Sequence, residues 1–505
     1  MISIRNVIVM TAAAAALLAA CKASPPETAT SSASTTSTST TSTTATTSTA
    51  PPPFPSIPAV VISGNIPSVV PIPSNAPPTA TPEQVRPYFD WFSWESFIAL
   101  NWPSGTGRGN PNQPNSPSVF TSMTNATPVT WDTYKANWEL YDQYDKRPTP
   151  WDDYNAPYMP SLCPQAKPAD KQLLMVTKGD SELSDVNQAF SFPLVDQASN
   201  FVFFEVRYNK PYYEFVRGDD AKPPTWLYFS KNLPTDYTQV PLPPNTTNSA
   251  NAIMIKAAWR MLAPLPPAQR SRYYTINAWV YNSATKQCTQ QPMGLVGFHI
   301  AQKTSAFAEW IWSTFEQVDN VPPQVDGVPS SFNNGTDNPS TGTQGFANRP
   351  QYQASTPGQL PSNPSPTQVA RLNPIPTTPA GASTVDVNNT FHNALPKDSV
   401  WQHYELVITQ WPSTPDAPYK PPANRGMYPK DCGGAFPVNG AVNTTLETYF
   451  QNPTLATGAF GNSCMSCHYN AGTGLRDFSW GFARRPHSDR PPPPNSKMTL
   501  AAAAK

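Results

Sequence analysis

A short segment near the carboxyl end carries two cysteines and a histidine in the pattern C-x-x-C-H, at Cys464, Cys467 and His468. Thiols at this spacing can each add to one vinyl group of a porphyrin, and the adjacent imidazole then lies beneath the iron as its proximal ligand. The spacing therefore predicts one covalent haem c, attached through both cysteines and ligated by His468.

Three other interpretations of the motif compete with haem attachment. A structural zinc site needs four ligands, and the sequence has no second C-x-x-C and no pair of histidines at metal-ligand spacing. A redox dithiol favours a strand–helix context, which Gln451–Asn462, with its Pro and Asn residues, does not supply. A plain disulfide leaves the histidine unexplained. Haem attachment also requires export, which the amino terminus indicates independently.

Residues 1–20 have the features of a signal peptide. Arg5 supplies the positive charge, and the apolar run Val7–Ala16 is too short to span a bilayer. A run of small residues then leads directly into Cys21. This junction resembles the bacterial lipobox, which implies cleavage before Cys21 and a diacylglycerol on its sulfur. An ordinary signal peptide with an incidental thiol is the alternative.

Residues 21–80 follow as a tether rich in Ser, Thr and Pro, and Ser31–Ala50 contains only Ser, Thr and Ala. Such a composition buries little apolar surface, so we expect the tether to stay solvated. The residue after the lipid-bearing cysteine is Lys22, not the Asp that would resemble an inner-membrane retention signal, which favours the outer membrane, with the protein facing the periplasm or the cell surface. The expected partners are the membrane, through the lipid anchor, and a redox partner protein or small oxidant.

The composition of the 505 residues narrows the classes of partner further. The 33 Lys and Arg residues balance the 33 Asp and Glu residues, and a formal net charge of zero argues against nucleic acid as a partner. The chain also has 14 Trp, 20 Tyr and 23 Phe residues, which is too aromatic for a disordered chain, although 63 Pro residues indicate much irregular backbone.

Residues 81–420 are predicted to form one aromatic-rich body. It begins with a short helix limited by Pro87, followed by helices over Asp90–Asn101 and Thr130–Tyr141, whose aromatic stripes are typical of core packing. From Gln172 onward the apolar period changes to two, which predicts strands. The predicted strands are Gln172–Lys178, Phe192–Asp196, Phe201–Tyr208, Ala252–Leu262, Arg272–Tyr281, Gly294–Lys303, Glu309–Val318 and Trp401–Gln410.

The order of these elements predicts the fold class. Successive strands, with helices before and after them, favour an α+β fold: a predominantly antiparallel, sandwich-like β body with flanking helices and a small carboxyl-terminal haem-binding segment. The sequence shows no strand–helix–strand unit with a Gly-rich loop, which argues against a dinucleotide fold. Residues 319–383 form a low-complexity insertion, expected either to wrap the core or to cover a site.

Residues 421–505 are predicted to form the haem c-binding segment and a Pro-rich tail. Thr444 with Glu447 three residues later forms a capping box, which predicts a helix that lines one side of the haem crevice. Aromatic residues further along are predicted to wall the porphyrin: Phe478, Trp480 and Phe482.

Three segments carry a likeness to a known group: Val296–Ile300, Trp310–Asn320, and Asn443–Glu447 ahead of C-x-x-C-H. Together they resemble exported bacterial proteins named only as the cytochrome c family. The likeness runs from about Trp91 to Arg484. It implies a monohaem c-type cytochrome with a large non-haem body, and it implies no particular reaction.

The sixth ligand of the iron decides between an electron carrier and an enzyme. His299 is the leading candidate. Leu295 and Gly297 share its predicted strand face, and the Gly leaves room for a flat cofactor to approach. Glu316 on the next strand can hydrogen-bond the imidazole and hold it in place. Met427, in a loop before the motif, is the second candidate, and plain core packing of His299 is the alternative.

An iron closed by His299 or Met427 gives an electron carrier, which the sequence favours. If the site is open, His299 or Glu316 can instead act as a distal acid–base group towards peroxide or another small oxidisable substrate, and the protein is then a haem enzyme. A haem-bearing binding protein on the cell surface is a third interpretation.

Three cysteines are left after Cys21 and the motif are set aside: Cys163, Cys288 and Cys432. An odd number in an oxidising compartment predicts one disulfide and one spare thiol, with three pairings open. A Cys432 thiolate is a further, weaker candidate for an iron ligand.

Overall fold

The structure is a computed structural model, and it describes a large part of the chain. The described residues are 58–76, 80–141, 148–154, 163–167, 170–175, 188, 192–218, 252–282, 285, 287–304, 307, 310–336, 364–412, 435–437, 440–451, 462–469 and 479–483. The predicted signal peptide, Cys21, Met427 and Cys432 lie outside them.

The described helices are mostly short. They are α1 (Pro82–Leu100), α2 (Pro117–Thr121), α3 (Asn137–Tyr141), α4 (Lys210–Arg217), α5 (Pro267–Arg270), α6 (Thr384–Ala394) and α7 (Cys464–Tyr469). The part of the chain that the structure describes contains no helix long and apolar enough to cross a membrane.

The strands form one 9-stranded sheet. They are β1 (Lys135–Ala136), β2 (Gln172–Met175), β3 (Phe203–Tyr208), β4 (Ile253–Met261), β5 (Thr275–Asn282), β6 (Gln287–Gln302), β7 (Ile311–Gln317), β8 (Tyr404–Pro412) and β9 (Ala435–Phe436). The order across the sheet is β1-β3-β4-β6-β7-β8-β9, with β5 beside the first half of β6. These pairs are antiparallel, and β2 joins β5 in parallel. The predicted fold class, an α+β body on a predominantly antiparallel sheet, is confirmed.

The period-two pattern located most strands to within a few residues. The strand predicted over Ala252–Leu262 is β4, one residue shorter at each end. The strand predicted from Trp401 begins later, because Val400–His403 form a 3-10 turn ahead of β8. The strand predicted over Phe192–Asp196 is reduced to an isolated bridge between Val195 and Phe201.

Helix α1 is one continuous helix, where the sequence predicted two. Its start matches the prediction: Oγ1 of Thr81 accepts from the N–H of Gln84, and the Gln84 side chain accepts from the N–H of Thr81. Pro87 lies inside the helix and removes one backbone hydrogen bond. The helix continues because aromatic residues beyond Pro87, among them Trp94 and Phe97, are fully buried, and their burial outweighs the lost bond.

We call the side of the sheet that α1 covers the helix face. Phe97 of α1 stacks on Phe315 of β7, with ring centroids 4.2 Å apart. Ser93 of α1 forms hydrogen bonds with Ser313 of β7 and Thr409 of β8. Because side chains alternate along a strand, the residues between these point to the opposite side.

We call that opposite side the motif face. It is covered by residues 440–451 and 462–469, which hydrogen-bond to β7 and β8. Its floor is made by cross-strand pairs of β6 and β7: Gly297 with Glu316, His299 with Thr314, and Ala301 with Trp312.

The helix predicted over Thr130–Tyr141 is wrong in type. The segment forms a 3-10 turn at Trp131–Thr133, then β1, then α3. Two residues in its middle pair with β3, and these sheet hydrogen bonds interrupt the helix. Core packing of its aromatic stripe is confirmed for Trp131, Tyr134 and Tyr141, whose exposure does not exceed 2%.

The carboxyl end of the predicted tether is partly packed on the body, where the sequence predicted a solvated segment. Within residues 58–76, Val70 is buried, and Ile62 and Ile66 pack against the main core cluster. The N–H of Gly64 also donates to Asn115 over 2.7 Å. Composition favoured solvation, but Val and Ile residues interspersed among the Pro residues supply enough apolar surface to dock on the body.

The described parts of the predicted insertion, residues 319–336 and 364–383, wrap the core. Phe332 and Val369 from its two parts are fully buried in one cluster. Of the two expectations for this insertion, wrapping therefore holds for these parts. Residues 337–363 lie outside the described residues.

A disulfide joins Cys163 to Cys288. It selects one of the three pairings that the sequence left open. Its sulfurs lie in a small cluster with Trp138, Tyr281 and other apolar side chains, next to β5.

Candidate functional site

Helix α7 carries the C-x-x-C-H motif and is fixed to β8 by one buried side chain. Gln410 is fully buried. Its Nε2 donates to Oγ of Ser463 over 2.8 Å, and its Oε1 accepts from the N–H of Met465 over 2.8 Å. N–H groups at the start of a helix have no partner within the helix, so Gln410 satisfies one that burial would otherwise leave unpaired. The first turn of α7 therefore has a defined position on the motif face.

Cys464 and Cys467 lie about one turn apart on α7, so their side chains point to the same side of the helix. In the described structure both are free and half-buried. Burial raises the pKa of Cys467 to about 12, and the nearby carboxylate of Glu447 acts in the same direction. The pKa of Cys464 is also raised, by the same causes and by the neighbouring thiol. Neutral thiols disfavour the redox-dithiol interpretation, because reactive dithiols need a lowered pKa.

His468 lies against the indole of Trp312. The ring centroids are 4.3 Å apart and the ring planes make an angle of 46°. Trp312 is 5% exposed on β7. The motif histidine is thus held beside a rigid aromatic side chain of the sheet.

His299 lies on the same face, and its partner is Glu447. Nε2 of His299 is 3.2 Å from Oε2 of Glu447, although the atoms are not aligned for a hydrogen bond. Nζ of Lys256, which is opposite His299 on β4, lies 3.5 Å from the same carboxylate. Burial raises the pKa of Glu447, but the charges of His299 and Lys256 outweigh burial and lower it to about 2.

Glu316 does not hold His299, contrary to the prediction. Its carboxylate accepts from the N–H of Thr444 over 2.6 Å and from the Thr444 hydroxyl over 2.5 Å. Arg371 donates to it over 2.9 Å. Glu316 is fully buried, and these contacts engage both of its oxygens. It therefore anchors the segment that covers the motif face, and it is not a free acid–base group.

The space beside Gly297 is filled, where the sequence predicted room for a flat cofactor. A Cβ added at Gly297 would collide with Oγ1 of Thr445, so the absent side chain admits the covering segment. A bulge between β4 and β6 also shifts the register next to Gly297. As a result Leu295 packs in the main core cluster, while Val296 packs with Leu446 of the covering segment.

The helix predicted from Thr444 is also wrong. Residues 444–447 form a turn, followed by a 3-10 turn at Thr448–Phe450. Oδ1 of Asn443 accepts from the N–H of Thr445, and Glu447 reaches back to the N–H of Asn443. The two residues of the predicted capping box instead contact β4, β6 and β7.

The residues of the motif face fit a covalent haem. They supply two free thiols one turn apart, an adjacent imidazole, and a second imidazole whose buried Nε2 has no aligned hydrogen-bond partner in the described structure. Within the described ranges, no group of three or more His, Cys, Asp or Glu side chains could hold a metal ion.

The aromatic segment after the motif is described only in part. Oγ of Ser479 and the hydroxyl of Tyr212 are 2.5 Å apart, and Gly481 packs directly against Tyr141 and Tyr208. This places residues 479–483 beside α3 and α4. Phe478, one of the three predicted wall residues, lies outside the described residues.

The chain matches no protein-family model, and neither a curated protein nor a solved structure is significantly similar to it.

Sequence reasoning missed three residues of this site. Glu447 was identified only as a capping residue, and the roles of Trp312 and Gln410 were not predicted. Gln410 could have been identified, because a polar Gln amid apolar residues of a buried strand needs a hydrogen-bond partner. The pairing of Glu447 with His299 had no local signal, since the two residues are far apart in the chain.

Proposed function

We propose that the protein is a monohaem c-type cytochrome that transfers electrons through a haem attached to Cys464 and Cys467, with His468 as the proximal ligand. The observation that carries the proposal is a pair of free thiols one turn apart on a helix anchored to the sheet, with an imidazole beside them. When bound, the haem supplies a one-electron iron couple. The chain supplies covalent attachment, an axial ligand and a buried aromatic neighbour.

His299 is our candidate for the second axial ligand. It lies on the motif face opposite Thr314, two residues along β7 from the tryptophan that contacts His468. Its buried Nε2 lies 3.2 Å from the carboxylate of Glu447 without an aligned hydrogen bond, so this nitrogen is left for a ligand. Met427 stays the competing candidate.

The test of attachment is direct. The full chain, produced in a host that matures c-type cytochromes, is expected to retain its colour after acid–acetone extraction and to gain the mass of one haem. Cys464→Ala combined with Cys467→Ala is expected to abolish both signals. Ser466→Ala, between the two cysteines, is the matched control and is expected to keep them. A colourless wild-type chain of bare polypeptide mass would overturn the proposal.

A second experiment distinguishes the electron-carrier hypothesis from the haem-enzyme hypothesis. If His299 closes the iron, the ferric protein is expected to be low-spin and slow to bind cyanide, and the ferrous protein slow to bind carbon monoxide. His299→Ala is expected to make the iron high-spin and reactive towards both. Prompt ligand binding by the wild type would instead favour the enzyme that acts on peroxide or another small substrate. An unaltered spectrum in His299→Ala would mean that His299 is a packing residue and does not ligate the iron.

The proposal includes export and a lipid anchor at Cys21. The Leu-Ala-Ala-Cys junction and the Ser/Thr-rich segment that follows it support this localisation. Labelling with a radioactive fatty acid is expected to mark the membrane fraction of the wild type. Cys21→Ser is expected to remove the label, and a label that persists would contradict lipidation at this residue.

A further inference from the structure

Trp312 lies where the last turn of α7 meets the sheet. It belongs to β7, and its cross-strand neighbours are Ala301 of β6 and Gln410 of β8. Gln410 holds the first turn of α7. The indole of Trp312 meets the last turn, with its ring centroid 4.3 Å from that of His468. Two adjacent residues of the sheet thus contact opposite ends of a six-residue helix.

The contact between Trp312 and His468 lies on the sheet side of the imidazole. Trp312 is 5% exposed, whereas His468 is half-buried and keeps part of its surface accessible. The indole therefore constrains the imidazole from the interior of the protein and does not enclose it.

The indole N–H of Trp312 is buried and has no acceptor among the described residues. Buried indole N–H groups usually have one. Other tryptophans of this core follow that rule: Trp94, Trp102, Trp131, Trp151 and Trp259. An unpaired buried donor is costly, and a leucine would fill apolar space without this cost. Packing alone therefore does not account for an indole at position 312.

The ring of Trp312 is itself confined. Sheet hydrogen bonds hold its backbone on both sides, and Trp310 packs beside it with ring centroids 6.2 Å apart. The outer torsion of a histidine side chain has broad energy wells, so an imidazole needs a neighbour to fix its ring plane. Residues that orient a ligating ring affect metal binding although they do not touch the metal.

We propose that Trp312 is the positioning residue of the proximal ligand, and that its indole sets the ring plane in which the imidazole of His468 meets the iron. This inference rests on the haem attachment proposed above. It predicts that position 312 needs an aromatic ring and not merely buried volume.

Electron paramagnetic resonance of the haem-loaded, ferric full chain tests this role, because the orientation of an axial imidazole affects the g values of the iron. Trp312→Leu removes the ring and is expected to shift and broaden the g values, since the imidazole then samples several orientations. Trp312→Phe keeps a ring and removes no hydrogen bond of the described structure. It is expected to give g values close to those of the wild type.

Trp94→Leu is the matched control. Trp94 is fully buried on the helix face, and it contacts a different histidine, His392, with ring centroids 5.4 Å apart. This variant is expected to lower the free energy of unfolding at least as much as Trp312→Leu and to leave the g values unchanged. An equal shift of the g values in Trp94→Leu and Trp312→Leu would overturn the positioning role, because the spectra would then report only a loosened fold.

Proton NMR of the haem-free full chain, made with Cys464→Ala and Cys467→Ala, measures the ring contact without haem. The ring current of Trp312 is expected to displace the imidazole resonances of His468. Trp312→Phe is expected to reduce this displacement, and Trp94→Leu is expected to move the resonances of His392 instead. The comparison needs only the milder variant, so it decides even where Trp312→Leu fails to fold.

Two results would overturn the positioning role and leave haem attachment intact. One is a haem-loaded Trp312→Leu chain with the g values of the wild type. The other is a set of His468 resonances that Trp312→Phe does not move. A wild-type chain that carries no haem would overturn both this inference and the proposed function.

Discussion

The two faces of the central sheet are built from different interactions. On the helix face, Trp94 stacks on Phe391 with ring centroids 5.2 Å apart. On the motif face, the covering segments are held by buried polar bonds, such as those from Thr444 to Glu316 and from Gln410 to the start of α7. Apolar packing is non-directional, whereas a buried hydrogen bond needs its partner in one place. The helix face therefore mainly stabilises the fold. The motif face mainly fixes the positions of the segments that cover it.

Two buried carboxyl groups, one on each side of the sheet, have pKa values shifted in opposite directions. On the helix-face side, burial raises the pKa of Asp90 to about 6, because the lowering effects of Thr384, Thr409 and Arg86 are weaker. On the motif face, cationic neighbours lower the pKa of Glu447 to about 2 in spite of burial. An ionised carboxylate is thus costly at Asp90 and stabilised at Glu447.

Trp94→Ala on the helix face is expected to have the largest effect on stability. The side chain is fully buried and packs on Phe391 and Phe315, and truncating such a residue costs about 3–5 kcal/mol. Urea unfolding measures the loss. Trp94→Phe keeps a stacked ring and is expected to lose less. Equal losses in the two variants would show that the indole hydrogen bond to Asn388, not ring packing, dominates.

Glu316→Gln on the motif face is expected to cost about 3 kcal/mol, because it leaves the guanidinium of Arg371 without its buried carboxylate. It is also expected to increase hydrogen exchange of residues 443–451 more than that of α1. Glu405→Gln is the control, since Glu405 is 27% exposed and lies farther from Arg371, at 3.5 Å. If exchange rises equally in α1 and in residues 443–451, Glu316 is not a local anchor.

The carboxyl group of Asp90 is expected to make stability depend on pH. Its pKa in the folded protein, about 6, exceeds the ordinary value of 3.8, so the folded state binds the proton more tightly. Stability from this group is complete below pH 4 and is lost as pH rises from about 4 to 6, by about 2 kcal/mol. Urea unfolding of wild type and Asp90→Asn across this range measures it. Parallel profiles of the two proteins would contradict the expectation.

Gly297→Ala is expected to have the smallest effect, about 1–2 kcal/mol, because the added Cβ meets Thr445 on the motif face. Thr445→Ala in the same chain removes the colliding hydroxyl and is expected to restore part of the loss. A double-mutant cycle on the free energy of unfolding measures the rescue. Additive losses would mean that the segment is not in contact with Gly297.

Much of the fold could be predicted because strand periodicity is a local signal. The pattern of β4 places apolar residues such as Ile253 and Ile255 at alternate positions, and the structure pairs this strand where the pattern put it. The errors come from tertiary contacts that override local rules. Pro87 was expected to limit a helix, but burial of the following aromatic residues carries the helix through it.

The site could be predicted only in its local parts. The spacing of Cys464, Cys467 and His468 is readable in one segment, and the choice of His299 as a candidate rested on its strand. The contact of His299 with Glu447 joins distant parts of the chain, so no local pattern reports it. The guess that Glu316 was the partner failed because Arg371 and Thr444 already occupy that carboxylate.

The docking of α7 on β8 has a consequence for the order of events during biogenesis. All strands from β4 to β8 precede α7 in the chain, so a polypeptide delivered amino end first can complete this platform before the cysteines arrive. Once docked, Cys464 packs against the interior and its Sγ contacts the carbonyl of Ala441. A ligating enzyme would have to reach both sulfurs during the interval before docking. If haem is attached as proposed, modification of the cysteines would therefore have to precede the docking of α7.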